Sequence, residues 1–207
     1  MSETTDKPFK QIAEFYNGLV DRYGHDPRAC DYGRPQSQEI KFKVLADVIG
    51  LTRKRVLDVG CGFADFADYL AKRFDTVYYT GIDLSSRMIE TAKKLHPSLD
   101  LSVDNILLDM GEKRFDIVTA NGIFYLLGED AHNLMYRLIY RMYDLADVAI
   151  AFNSLSSWTG SQETGEFHAN PLEVVEYCRT ITPRVVMRHD YLPRDFTIYM
   201  YKRDSGL

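Results

Sequence analysis

The 207-residue sequence has no apolar run approaching the ~18 residues that cross a bilayer. A membrane-spanning helix is therefore not expected, and neither is a membrane partner. The opening stretch MSETTDKPFKQ is polar and lacks the apolar block of a secretion signal. Cysteine is scarce and odd in number: Cys30, Cys61 and Cys178 form no disulfide framework, and no CxxC or His/Cys cluster suggests a metal. Three free thiols imply a reducing, cytoplasmic location. Positive charge is also short, with 25 Lys and Arg against 30 Asp and Glu and a formal charge of -5. Nucleic-acid backbones are held by clustered Lys and Arg, and no basic stripe is present, so no nucleic-acid partner is expected. Internal repeats and low-complexity tracts are missing as well.

What remains is an ordinary globular composition, 45% hydrophobic and 27% charged, long enough for one domain with a substantial core. Residues 1–8 read as disordered. From Phe9 to about Gly24, apolar residues recur at helical spacing. A breaker-rich loop, HDPRACDYGRPQ, follows. A second helix reads from Ser37, its possible N-cap, to Ile49. Strands and helices then alternate. KRVLDVG is a strand, DFADYLAKRF a helix, TVYYTGID a strand, and SSRMIETAKKLH a helix that Pro97 stops. DLSVDNI and FDIVTANGIF supply the third and fourth strands, DAHNLMYRLIYRMYDLA an amphipathic helix, and DVAIAFN the fifth strand. Apolar strands alternating with helices predict an α/β fold: a doubly wound parallel sheet buried on both faces. The tail breaks the pattern. RVVMRHDYLPRDFTIYMYKR is two period-2 runs joined by a turn, an antiparallel hairpin at the sheet edge. Before it lie a long polar loop, SLSSWTGSQETGEFHAN, and a short helix; loops of that length are often functional lids.

The stretch VLDVGCGFADF carries the chemistry. Gly60 and Gly62 end the first strand, where a tight turn lets backbone approach a ligand and a helix N-terminus offers free N–H groups. Asp83 ends the second strand, where a carboxylate can take both hydroxyls of a ribose. A dinucleotide turn wants a third glycine three residues after Gly62, and that position is Asp65. Asp58 and Asp65 would repel a pyrophosphate. They suit a nucleotide that bears positive charge, such as S-adenosylmethionine with its sulfonium and ammonium.

These residues resemble the class I S-adenosylmethionine-dependent methyltransferases. VLDVGCG resembles the first motif of that family, GIDLSSRMIETAKK the second and FDIVTANGIFYLL the fourth-strand motif, in order and at matching intervals. TPRVVMRHDYLPRDFTIYMYKR resembles its antiparallel sixth and seventh strands. The resemblance implies a Rossmann-like, seven-stranded sheet over 51–207 with an N-terminal helical lid at 1–50. It implies that Asp58, Gly60 and Gly62 hold the methionine portion, that Asp83 takes the ribose, and that Leu84 and Met88 flank the adenine. It places Asp104 or Asn105 at the adenine edge, where the family usually has an acid, and Asn121 toward the sulfonium. Tyr32 and Arg34, in the N-terminal loop, are candidates for the sulfonium and a carboxylate. Asn153, Tyr191 and His168 are the candidate catalytic groups, with His168 in the long loop. Alternation along the sixth strand puts His189 and Tyr191 on one face.

The leading expectation is an enzyme that methylates a small molecule. A cyclase that closes an azetidine ring from the cofactor's own methionine chain and releases methylthioadenosine is the first alternative. An NAD-dependent or non-enzymatic nucleotide-binding protein is the second. The acceptor and the oligomeric state are not legible.

Overall fold

The computed structural model describes residues 3–30, 35–108, 110–111, 113–160 and 162–202. Seven strands form one sheet: β1 (Arg55–Val59), β2 (Tyr78–Asp83), β3 (Asp100–Val103), β4 (Phe115–Ala120), β5 (Ala146–Leu155), β6 (Val185–Leu192) and β7 (Asp195–Tyr201). Their order is β3-β2-β1-β4-β5-β7-β6. β1 to β5 run parallel, and β7 inserts antiparallel between β5 and β6. The fold is Rossmann-like, with the antiparallel C-terminal hairpin that the tail predicts. Chain order reverses between β1 and β4, and this switch point opens a crevice beyond the strand ends, where ligands of such sheets bind.

Burial on both faces explains why the central strands are continuous apolar runs. Leu57, Val118, Ile150 and Ile198 face one core with α5 (Ala131–Leu145) and α6 (Pro171–Ile181). Val56, Ile117, Ala149 and Tyr199 face the other, with α2 (Pro35–Ala46), α3 (Asp65–Arg73) and α4 (Ser86–Leu95). α1 (Glu3–Tyr23) crosses the open edge of the crevice and packs on α4. Its Asn17 Oδ1 accepts from Ser85 Oγ at 2.8 Å and from the Arg87 backbone N–H at 3.2 Å. Ser85 Oγ in turn accepts from Met88 N at 3.1 Å. The N-cap of α4 is thus shared with the helix that covers it.

Four sequence expectations are corrected. The first helix begins at Glu3, so residues 3–8 are helical rather than disordered. Pro8 lies inside this helix, one turn past its start, where it removes one i→i−4 backbone hydrogen bond. α2 opens at Pro35, a residue pre-set for a first helical turn, and closes at Ala46 rather than Ile49. The described parts of the 154–169 loop are tethered instead of swinging free: Ala169 N donates to Leu155 O at 3.0 Å, Ser157 N to Ala169 O at 2.9 Å, and Phe167 N to Tyr125 O at 2.8 Å. The alternation along β6 also fails, because its pairing with β7 shifts register between Arg188 and Leu192. His189 stacks toward Phe196 on one face, while Tyr191 packs into the core on the other.

Phe152 is fully buried and meets Phe124 edge-to-face, with ring centroids 5.6 Å apart, under the crevice floor. Truncation to Phe152→Ala leaves a ring-sized void, and urea denaturation should show a loss of about 3–5 kcal/mol.

Candidate functional site

The crevice begins at the turn after β1. Gly60 (φ 72°), Gly62 (φ 54°) and Ala64 (φ 65°) are all left-handed, so the chain winds tightly before α3. Gly60 N and Cys61 N donate to Ile82 O at 2.8 and 3.0 Å. A Cβ on Gly60 would lie 2.4 Å from Ile123 Cγ2, so the turn and the loop after β4 touch because no side chain separates them. Gly62 N donates to Asp83 Oδ2 at 2.9 Å, and Ser85 N to Asp83 Oδ1 at 2.8 Å. Burial raises the Asp83 pKa, and these backbone donors oppose the rise.

Asp58 sits deeper. It is buried, accepting from Tyr79 Oη at 2.6 Å and from Thr119 Oγ1 at 3.0 Å. Loss of hydration pushes its pKa up to about 7, against the two hydroxyl donors. Two thiols share this region. Burial raises Cys30 to about 12 and Cys61 well above its ordinary value, so both stay protonated and unreactive at neutral pH.

Past β3, Asp104 Oδ1 accepts from Asn105 N at 2.7 Å, and Asn105 Oδ1 accepts from Leu107 N at 3.0 Å. Both residues line the crevice. The Asn105 oxygen is engaged by the turn it shapes, which leaves the charged Asp104 as the stronger acceptor facing the crevice. Past β4, Asn153 Nδ2 donates to Asn121 Oδ1 at 2.5 Å, while its Oδ1 accepts from Gly122 N at 2.7 Å. Asn153 is buried and fixes the orientation of Asn121.

The cover comes from α1. Tyr16 and Tyr125 join hydroxyl to hydroxyl at 2.8 Å across the crevice mouth. Beyond Asn153 the wall changes to Lys41 of α2 and Asp195 of β7, an ion pair at 2.7 Å with side chains only 12% and 8% exposed. Glu166 reaches the same end and accepts from Arg194 Nη2 at 2.8 Å. The crevice encloses a cavity of ≈ 200 Å³.

The structure thus gathers Asp58, Gly60, Gly62, Asp83, Leu84, Met88, Asp104, Asn105, Asn121 and Asn153 around one crevice. It leaves two candidates out. Tyr191 bonds Thr197 at 2.8 Å within the opposite core. His168 is 1% exposed and wedged between Ser156 O (3.2 Å) and Glu166 Oε2 (2.9 Å), where it ties the loop together. Tyr32 and Arg34 lie outside the described residues. Sequence reasoning missed Lys41, Asp195 and Glu166, which come from three distant segments. One signal was available for Asp195: antiparallel pairing brings it opposite Leu155, beside the end of β5.

The donor set fits S-adenosylmethionine better than a dinucleotide. Asp65 stands in the first turn of α3, where a pyrophosphate would rest, and Ala64 offers that end no side-chain cap. A carboxylate held by two backbone N–H groups suits a ribose, and a deep carboxylate suits an ammonium. A methyltransferase-domain family profile matches residues 56–144. The matched segment is a methyltransferase domain of the class I S-adenosylmethionine-dependent type. The chain is similar to "Putative methyltransferase Rv1506c" of Mycobacterium tuberculosis, 28% identical over 152 residues that cover 70% of this chain and 91% of the relative. It is also similar to malonyl-(acyl-carrier protein) O-methyltransferase 1 of Ilyobacter polytropus, 30% identical over 109 residues, but spans only 39% of that protein. In fold it matches magnesium protoporphyrin IX methyltransferase of Synechocystis PCC 6803 with bound S-adenosylmethionine. That match has a TM-score of 0.69 at 14% identity and covers 94% of this chain and 97% of the other. The cofactor of this methyltransferase is S-adenosylmethionine.

The position of Asp58 sets a pH dependence. Below pH about 7 its carboxyl is neutral and has no charge to offer an ammonium. Between pH 5 and 7 the cofactor's amino group stays charged, since α-amines titrate near 7.7–8.0. Calorimetry with S-adenosylhomocysteine should therefore show affinity falling by up to about tenfold per unit as pH drops below 7, with a flat profile in Asp58→Asn.

Proposed function

We propose that this methyltransferase acts on a small-molecule acceptor. The observation that carries the reading is that the crevice continues past the Asn121–Asn153 pair to a second polar wall at Lys41 and Asp195. A cyclase working on the cofactor alone would not need that second compartment. The excess of acidic side chains and the missing basic stripe argue against nucleic-acid acceptors.

In this reading the chain's own residues bind, orient and exclude water. Asp83 accepts from the ribose hydroxyls, with its position set by Gly62 N and Ser85 N. Asp58 faces the ammonium, and the backbone of Gly60 and Gly62 packs against the methionine portion. Leu84 and Met88 flank the adenine, and Asp104 accepts from its amino group. Asn121, oriented by Asn153, faces the reacting end. The bound cofactor supplies an electrophilic methyl on a sulfonium that leaves as a neutral thioether. The protein's task is to align a nucleophile with that carbon and keep water out. Residues 1–50 act as the lid, since α1 closes the mouth through Tyr16 and latches through Asn17. Among the described residues no helix is long and apolar enough to cross a membrane. Three free cysteines support a reducing, cytoplasmic location.

The test is incubation with methyl-labelled cofactor and a fractionated small-molecule extract. Label should enter a small molecule as S-adenosylhomocysteine accumulates. Label found only in protein or RNA, or methylthioadenosine formed from the cofactor alone, overturns the reading. Asp83→Ala should weaken S-adenosylhomocysteine binding by about 1–3 kcal/mol, read by calorimetry, because two charge-assisted hydrogen bonds are lost.

A further inference from the structure

We infer that the compartment at Lys41 and Asp195 selects an amine-bearing acceptor and turns away carboxylates and phosphates. This rests on the small-molecule reading above and specifies the charge of its substrate.

The described residues that line the crevice include six carboxylates, Asp58, Asp65, Asp83, Asp104, Glu166 and Asp195, and one ammonium, Lys41. A narrow crevice walled by one sign of charge concentrates the opposite sign within it. Bound cofactor adds a sulfonium and an ammonium but also a carboxylate, a net gain of one positive charge. Glu166 is paired with Arg194, Asp195 with Lys41, and the Asp58 pKa is pushed up to about 7, so the excess of negative charge that survives cofactor binding rests on Asp65, Asp83 and Asp104.

The cationic side chain is also committed. Lys41 Nζ lies 2.7 Å from Asp195 Oδ1, with both side chains nearly buried. Removing one member of a desolvated pair leaves the other charge uncompensated, at a cost well above that of a surface pair. An acceptor carboxylate or phosphate that took Lys41 would leave Asp195 in that state. Arg194 is not among the described residues that line the crevice; its Nη2 donates to Glu166 Oε2 at 2.8 Å and its Nη1 to Glu163 at 3.3 Å, while its buried Nε has no hydrogen-bond partner. An ammonium can leave the Lys41–Asp195 pair intact. A carboxylate with Oδ1 on Lys41 keeps Oδ2 as an acceptor, so Asp195 can receive a second N–H. Its placement is fixed by the fold. Antiparallel pairing sets Asp195 opposite Leu155, two residues beyond Asn153, so an amine on Asp195 stands past the cofactor end of the crevice. Phe9, Ile12 and Phe124 line the same crevice and offer apolar surface to the acceptor body.

The probes are phenethylamine and 3-phenylpropionate, which share a phenyl ring and a two-carbon arm and differ in the sign of the end group. Protein saturated with S-adenosylhomocysteine is titrated with each by calorimetry. Phenethylamine should bind about tenfold or more tightly than 3-phenylpropionate. In Asp195→Asn, a near-isosteric change, the preference should vanish while S-adenosylhomocysteine affinity stays unchanged, which also reports that the variant folds. Tighter or equal binding of 3-phenylpropionate, a preference that survives Asp195→Asn, or binding of neither probe overturns the inference. Loss of S-adenosylhomocysteine binding in the native chain would instead strike at the methyltransferase reading, so the two failures are distinguishable.

Discussion

The hydrogen bond from Gly62 N to Asp83 Oδ2 is the interaction on which the rest of the site depends. It ties the turn after β1 to the end of β2, the two strand ends that flank the switch point. The same carboxylate accepts from Ser85 N, Ser85 caps α4, and Ser85 Oγ donates to Asn17 of α1. One acid thereby coordinates the glycine turn, the second βα corner and the helix that covers both. The Gly62–Asp83 and Ser85–Asn17 contacts are short in space and long in sequence, so the arrangement exists only when the sheet has formed. A fixed acceptor at that point costs little to reorganise when a ribose arrives, because its donors are backbone groups held by strands.

The two acids of the crevice floor solve burial differently. Asp83 is held by backbone N–H groups that favour its charged form and limit the rise that burial causes. Asp58 has hydroxyl donors and greater depth, and its pKa climbs to about 7. A carboxyl that titrates near neutrality is poorly stabilised as an anion until a cation joins it, which makes its ionisation and the binding of an ammonium mutually supportive. Gly60 serves the same geometry from another side. Without a Cβ there, Ile123 closes on the turn and narrows the passage between the two ends of the crevice.

What the sequence made legible follows one physical line. Continuous apolar strands, a glycine pair after the first and an acid after the second are local signals, and each was read from neighbouring residues. The seven-strand order and the crevice follow from them by fold-level rules. Assignments that needed the third dimension went otherwise. His168 lies in a stretch that reads as a flexible polar loop, yet Ser156 O and Glu166 hold it inside. Tyr191 was misassigned by alternation because a register shift in β6 turns it to the far core. Lys41 and Asp195 stand about three-quarters of the chain apart, and neither carries a motif.

That contrast has a structural origin. The matched family segment, residues 56–144, runs from β1 through α5 and contains the glycine turn, Asp83, the Asp104 loop and Asn121. Lys41, Asn153, Glu166 and Asp195 all lie outside it, as does the α1 cover. The cofactor end is assembled from consecutive βα units, whose turns are set by local sequence. The end at Lys41 and Asp195 is assembled where α2, the end of β5, the loop before α6 and the antiparallel hairpin converge on the same edge. Insertion of β7 beside β5 makes that convergence possible, since it carries Asp195 to the C-terminal edge of a parallel strand. The cofactor half is therefore the shared and readable half. The second polar wall, at Lys41 and Asp195, is built from segments that the family pattern does not reach.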